Sequence, residues 1–253
     1  MSNSVSTALF IGGKERQTAG KMAIADPAKP GVVVGYAASA TTQDVSDAVA
    51  AAKAAFPAWS RLTPQQRAEQ MKAAIVGVPD SPNPFASEDG AILSQENGKV
   101  RLEGWVDALV LQIRWNLALM HADEVNASKV LEPVPGHIPT RTTVSYQPLG
   151  VVSIIVPFNW PIAILGAALP HALLAGNTVI VKPPLTAPLP PPEDEPPKPD
   201  APARAAVPPP AEPAAWPPWV PFPQATSERA ARADFRKIEL IRRLQCLGAV
   251  LRS

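Results

Sequence analysis

Apolar residues fall along this chain in distinct patterns, and each pattern predicts a different element. Near the amino end the runs are short: L-F-I-G-G-K-E-R reads as a strand and a Gly-Gly turn, and D-P-A-K-P-G-V-V-V-G-Y-A-A as a second hairpin arm. A helical period follows. Thr41 and Asp44 make a capping-box pair, and Val45, Ala48, Val49, Ala52 and Phe56 recur at helical spacing until Pro57, which is expected to stop the run. Thr63 with Gln66 caps a second helix that has Pro64 at its first position. Pro79, Pro82 and Pro84 then intervene, and because a proline inside a helix costs roughly 3 kcal/mol, the spacing predicts a loop there. From Gly104 onward Trp105, Leu109, Ile113, Leu117 and Met120 recur at helical spacing and predict a long amphipathic helix to about Glu124. T-R-T-T-V-S-Y-Q mixes β-branched and polar residues and predicts an exposed strand.

Between Gly150 and Pro183 the apolar positions become nearly continuous. The run Val151 to Val156 breaks at Pro157, a helix-like segment follows from Pro161 to about Ala175, Gly176-Asn177 turns, and Thr178 to Val181 ends on Lys182. Only Ser153 and Thr178 are polar in the two runs, as expected for strands covered on both faces of a parallel sheet. The segment therefore reads as one β-α-β unit, with no further parallel strand for it to pair with. Ligands of open parallel sheets lie at the carboxyl ends of the strands, and here those ends carry P-F-N-W-P and K-P.

Composition changes the picture for the remainder. Of 32 prolines, 18 fall between Pro183 and Pro223, and no glycine occurs from Pro190 to Pro223, which predicts an extended, polyproline-like or disordered tract. The last stretch, with Phe235, Ile238, Ile241, Leu244 and Leu247 on one side, predicts a short basic helix. A formal charge of +1 suggests neither a nucleic-acid partner nor an anionic membrane surface. One cysteine excludes an internal disulfide, and no signal-like start or long apolar run is present, so a cytoplasmic protein is expected.

The strand-end motifs are specific. V-P-F-N-W-P followed by A-L-L-A-G-N-T-V-I-V-K-P resembles the start of the cofactor domain of the NAD(P)-dependent aldehyde dehydrogenase family, with Asn159 and Lys182 separated by 23 positions as in that family. A-V-A-A-A-K-A-A-F-P-A-W-S-R-L-T-P-Q-Q-R-A and the tetrad Glu96, Asn97, Gly98, Lys99 resemble two further family signatures. The resemblance covers about residues 8–189 and implies an α/β fold: an incomplete aldehyde dehydrogenase fold with amino-terminal helices and the first unit of a Rossmann-like cofactor domain. Taken with the composition of the tail, it divides the chain into an amino-terminal helical part (1–133), an oligomerisation-type strand (134–149), the β-α-β unit (150–189) and, beyond the resemblance, a disordered Pro-rich tract (190–224) and a short basic helix (225–253). A small aldehyde as substrate and a homo-oligomer, or pairing with intact subunits, are implied in the same way.

Read alone, Asn159 is a turn residue and Lys182 a snorkelling surface lysine. The resemblance implies that the Asn159 amide donates to the oxyanion formed when a thiolate attacks an aldehyde, and that Lys182 hydrogen-bonds the adenosine ribose of NAD or NADP. Ile155, Val156, Pro157 and Phe158 would line the cofactor crevice, although plain core suits Ile155 equally well. Many NAD-preferring relatives place a glutamate three residues after the lysine; Leu185 stands there, which leaves NADP tolerated.

The remaining machinery is not in the sequence. Neither the nucleophile motif G-Q-x-C, the general-base motif E-L-G-G nor a G-x-G-x-x-G cradle occurs. Cys246, in R-L-Q-C-L-G, reads as a small apolar residue. His121, His137 and His171 lack metal-ligand spacing. Two readings follow: an aldehyde dehydrogenase by descent, truncated or frame-shifted and inactive alone, or a non-catalytic fragment that acts through oligomerisation or through Pro-rich docking to SH3-like or WW-like domains.

Overall fold

In the computed structural model the described residues are 5–72, 74, 79–136, 140–185 and 248–250. They belong to one unit, Met1–Pro192 with Lys237–Ser253; a second unit, Glu193–Arg236, falls outside them. The Pro-rich tract and Cys246 accordingly lie outside the described residues, as does His137.

Short strands come first: β1 (Val5–Ser6), β2 (Leu9–Ile11), β3 (Lys14–Arg16), β4 (Lys21–Ala25) and β5 (Val33–Ala38). Gly12 and Gly13 take φ of 60° and 78°, the left-handed values a two-residue hairpin turn needs, and so β2 folds back on β3. β4 and β5 form the second hairpin, with β1 parallel to β5 on its other side. Helices α1 (Thr42–Arg61), α2 (Pro64–Lys72), α3 (Glu88–Asn97) and α4 (Arg101–Met120) follow. The capping box at Thr41 is formed, and Thr63 and Gln66 exchange the equivalent pair of bonds ahead of α2. Residues 79–87 are irregular, as the prolines predict, and Ser87 caps α3.

Two helix expectations need correction. Pro57 does not stop α1, which continues to Arg61. Its ring lies on the exposed side, where the carbonyl deprived of a partner meets water, and the last turn is held by Trp59, whose indole N–H donates to Leu173 O at 2.9 Å. In α4 the expected stripe is not the buried one: Ile113, Leu117 and Met120 are exposed and Trp105 and Leu109 half-buried, whereas Gly104, Asp107, Ala108, Leu111, Trp115 and Ala118 are buried. Small residues explain the choice of face. A Cβ on Gly104 would stand 2.5 Å from the Gly90 carbonyl oxygen of α3, and one on Gly166 would stand 2.9 Å from Leu111 Cα, so the helices meet where their backbones can approach.

The strands β6 (Lys129–Leu131) and β7 (Thr142–Val144) pair antiparallel on the surface. The β-α-β unit follows as β8 (Val151–Ile155), α5 (Pro161–Leu174) and β9 (Thr178–Lys182), with β8 and β9 parallel. β9 is covered on both faces. Val179 and Val181 join Leu111, Trp115, Leu173 and Leu174 in the main core, while Ile180 packs with Leu9, Ala48 and Ala52 on the α1 side. β8 departs from expectation: Ser153 and Ile155 are exposed, because α1 reaches across β9 but leaves the end of β8 open on that face.

A last strand, β10 (Gly248–Val250), corrects two further expectations. It runs parallel to β9 and antiparallel to β2, giving a five-stranded sheet in the order β3-β2-β10-β9-β8. The unit therefore has a third parallel strand, and the expected basic helix over 225–253 does not include these three residues; the rest of that segment lies outside the described residues. No helix among the described residues is long and apolar enough to cross a membrane.

Candidate functional site at the carboxyl ends of β8 and β9

The register of the parallel pair brings the two strand ends to one level. Ile155 stands opposite Lys182, and Val156 N–H donates to Lys182 O at 3.0 Å. Alternation along the strand then sorts the residues. Ile154 and Val156 point into the core, at 8% and 4% exposure, and Ile155 points out at 71%. Ile155 is therefore not core, and Val156 reaches the surface site through its main chain only. Pro157, Phe158 and Asn159 are exposed in the turn that leads to α5. Lys182 is half-buried, with its ammonium 3.3 Å from Pro183 O, and Leu185 beyond it is half exposed.

Three side chains to which the sequence reading gave no role hold this turn from beneath. Asn97 Nδ2 donates to Phe158 O at 2.8 Å, and Lys99 Nζ donates to Asn159 O at 2.7 Å. Lys99 also pairs with Asp107 at 2.7 Å and lies over the Trp160 ring, 4.6 Å from its centroid. Asp107, fully buried on α4, accepts from Ala163 N–H at 2.6 Å. Burial pushes the Asp107 carboxyl above the ordinary carboxylate range, and the Lys99 ammonium and the Ala163 amide draw it part of the way back. Asn97 and Lys99 were visible as members of a signature tetrad; Asp107 gave no signal beyond being a carboxylate between Gly104 and Ala108.

Asn177 organises the opposite end of the unit. Its Oδ1 accepts from Leu149 N–H and Gly150 N–H, and its Nδ2 donates to Ala172 O, tying the entry of β8 to the exit of α5. His121 faces Glu124 at 3.1 Å on the surface and His171 is exposed. Among the described residues no group of three or more His, Cys, Asp or Glu is arranged to hold a metal.

The sequence model of the Aldehyde dehydrogenase family matches residues 14–190. This chain belongs to the aldehyde dehydrogenase family. An N-succinylglutamate 5-semialdehyde dehydrogenase from Caulobacter vibrioides is 33% identical over 187 residues, which are 73% of this chain and 36% of the relative. A vanillin dehydrogenase from Pseudomonas fluorescens is 34% identical over 155 residues, 60% of this chain and 30% of that protein. Among solved structures, the 1-pyrroline-5-carboxylate dehydrogenase from Thermus with bound NAD superposes with a TM-score of 0.62 at 29% identity, over 73% of this chain and 34% of that one. The Escherichia coli lactaldehyde dehydrogenase, at 22% identity and a TM-score of 0.64 over 73% of this chain and 38% of its own, shares the fold. The chain thus spans about a third of the length of these aldehyde dehydrogenases.

Proposed function

We propose that this chain carries the oxyanion-donor and adenosine-ribose side of an NAD(P)-dependent aldehyde-oxidising site, and that by itself it does not turn over aldehyde. The observation that carries the reading is the placement of Asn159: an exposed amide on a turn at the carboxyl end of β8, beside the strand that ends on Lys182. An amide held there donates to an oxygen that gains charge as a nucleophile adds to a carbonyl, and its effect is greatest where the donor needs no reorganisation.

The residues fit the ribose end of a dinucleotide. Lys182 makes one long main-chain contact, which leaves ammonium protons for a ribose hydroxyl, and the exposed Ile155 and Phe158 offer apolar surface next to it. Leu185 puts no carboxylate against a ribose phosphate, so NADP is accepted alongside NAD. When bound, NAD(P) supplies the hydride acceptor. What argues against turnover is the sequence, which has no G-Q-x-C nucleophile motif, no E-L-G-G base motif and no G-x-G-x-x-G cradle for a pyrophosphate.

The test is an assay of the pure chain with aliphatic and aromatic aldehydes and both cofactors, joined to titration with NADH and NADPH followed by fluorescence. The expected result is no aldehyde-dependent NAD(P)H formation, no change in Cys246→Ala, and dinucleotide affinity lowered about tenfold in Lys182→Ala, the loss of one charge-assisted hydrogen bond. Turnover that disappears in Cys246→Ala would show that this cysteine serves as nucleophile and would overturn the inactive reading. Affinity unchanged in Lys182→Ala would remove the ribose contact.

A further inference from the structure

Among the described residues nothing bonds the Asn159 side chain itself, so its direction is set by the main chain of the turn. That main chain is held at three points by groups from the α3–α4 region: Asn97 on Phe158 O, Lys99 on Asn159 O and Asp107 on Ala163 N–H. We infer that Lys99 and Asp107 are positioning residues, a buried ion pair that fixes the turn 157–160 and so aims the Asn159 amide at the site. The inference rests on the oxyanion role proposed above for Asn159.

The geometry explains why a pair is needed rather than either residue alone. α5 starts at Pro161 without a cap from its own N-cap residue, Trp160, although the first amides of any helix lack internal partners and favour an anion. Asp107 supplies that anion from a neighbouring helix. A lone carboxylate at 0% exposure would be costly, and Lys99, itself 7% exposed, balances it while a second ammonium proton goes to Asn159 O and the charge rests against the Trp160 ring. The start of α5 and the carbonyl of Asn159 are thereby tied to one ion pair. Gly166 permits the close packing of α5 on α4 that brings Asp107 to the start of α5, and Gly104 permits that of α3 on α4.

The test uses the full 253-residue chain and amide hydrogen exchange read residue by residue. In Lys99→Met/Asp107→Leu, apolar groups of similar size replace both charges, an exchange that buried ion pairs commonly tolerate without loss of stability. The expected outcome is a thermal midpoint near that of the parent, exchange about tenfold or more faster at Ile162 and Ala163, whose amides bond Asp107, and no change in β9. Lys99→Met alone is expected to give the same local pattern and to move the fluorine resonance of 5-fluorotryptophan at Trp160. Slow exchange retained at Ile162 and Ala163 in either folded variant would overturn the inference; unfolding of both would do so too, by making the pair a general support of the fold. Asn159→Ala keeps every main-chain bond of the turn and should leave the exchange pattern unchanged. The oxyanion and ribose reading is decided instead by turnover and dinucleotide titration, so the two fail separately.

Discussion

At the scale of single residues, Asp44 shows how a local sequence signal and a distant partner combine. Its carboxylate accepts from Thr41 N–H and Thr41 Oγ1 in the capping box, and the Arg16 guanidinium of β3 reaches it at 2.9 Å. The Thr41 hydroxyl first, then the Thr41 amide and the Arg16 bond, lower its pKa from 3.8 to about 2. A carboxyl depressed on folding stabilises the fold while ionised: the contribution is complete above about pH 4 and is lost as pH falls through about 2. Asp44→Asn should therefore lower the thermal midpoint at neutral pH, and the gap to the parent should narrow steadily between about pH 4 and pH 2. Midpoints recorded across that range check the sign, and a gap independent of pH would contradict it. The cap was legible in the T-x-x-D spacing. The Arg16 contact was not, since 28 positions separate the partners and only the packing of the first hairpin on α1 joins them.

At the scale of elements, the ends of two helices share one cation. Arg67, 3% exposed on α2, donates to Leu174 O at the end of α5 and to Leu62 O at the end of α1, with longer contacts to Ser60 O and Asn126 Oδ1. Helix carboxyl ends leave carbonyls without internal partners and carry partial negative charge, so a guanidinium satisfies both needs even though desolvation draws its pKa down. Arg67→Met should cost about 3 kcal/mol, because one buried and two part-buried carbonyls lose a charged donor together. Urea unfolding at constant slope measures it, and a loss under about 0.5 kcal/mol would contradict this account. The same scale explains why the apolar stripe misled for α4. Large side chains dominate a hydrophobic pattern, but helix faces here are chosen by the glycines and alanines that let backbones meet, and by an aspartate whose charge is answered from another element.

At the scale of the whole molecule, the decisive feature is the sheet order. β10 fills the position between β9 and the amino-terminal hairpin, with Gly248 opposite Val179, Ala249 opposite Ile180 and Val250 opposite both Val181 and Phe10. Proline removes a ladder donor, so Ala249→Pro should speed exchange of the β9 amides Val179 to Val181 by about tenfold while leaving α3 and α4 as they are. Protection of β9 unchanged in that variant would show that the strand contributes little to the sheet. β10 was hidden in the sequence for a physical reason: three residues next to a helical apolar stripe carry no period of their own, and a strand this short exists only because two open edges stand on either side of it. By itself the sequence determined the elements whose signals are local, namely the glycine hairpin, the caps at Thr41 and Thr63, the proline loop after α2 and the β-α-β unit with Asn159 and Lys182 at its strand ends. Tertiary structure alone decided which face of α4 is buried, that Ile155 is exposed while Val156 is core, and that Asn97, Lys99 and Asp107 converge beneath the Asn159 turn. Each of these depends on which backbones can approach and which buried charges find a partner, and neither property is carried by the spacing of residues along the chain.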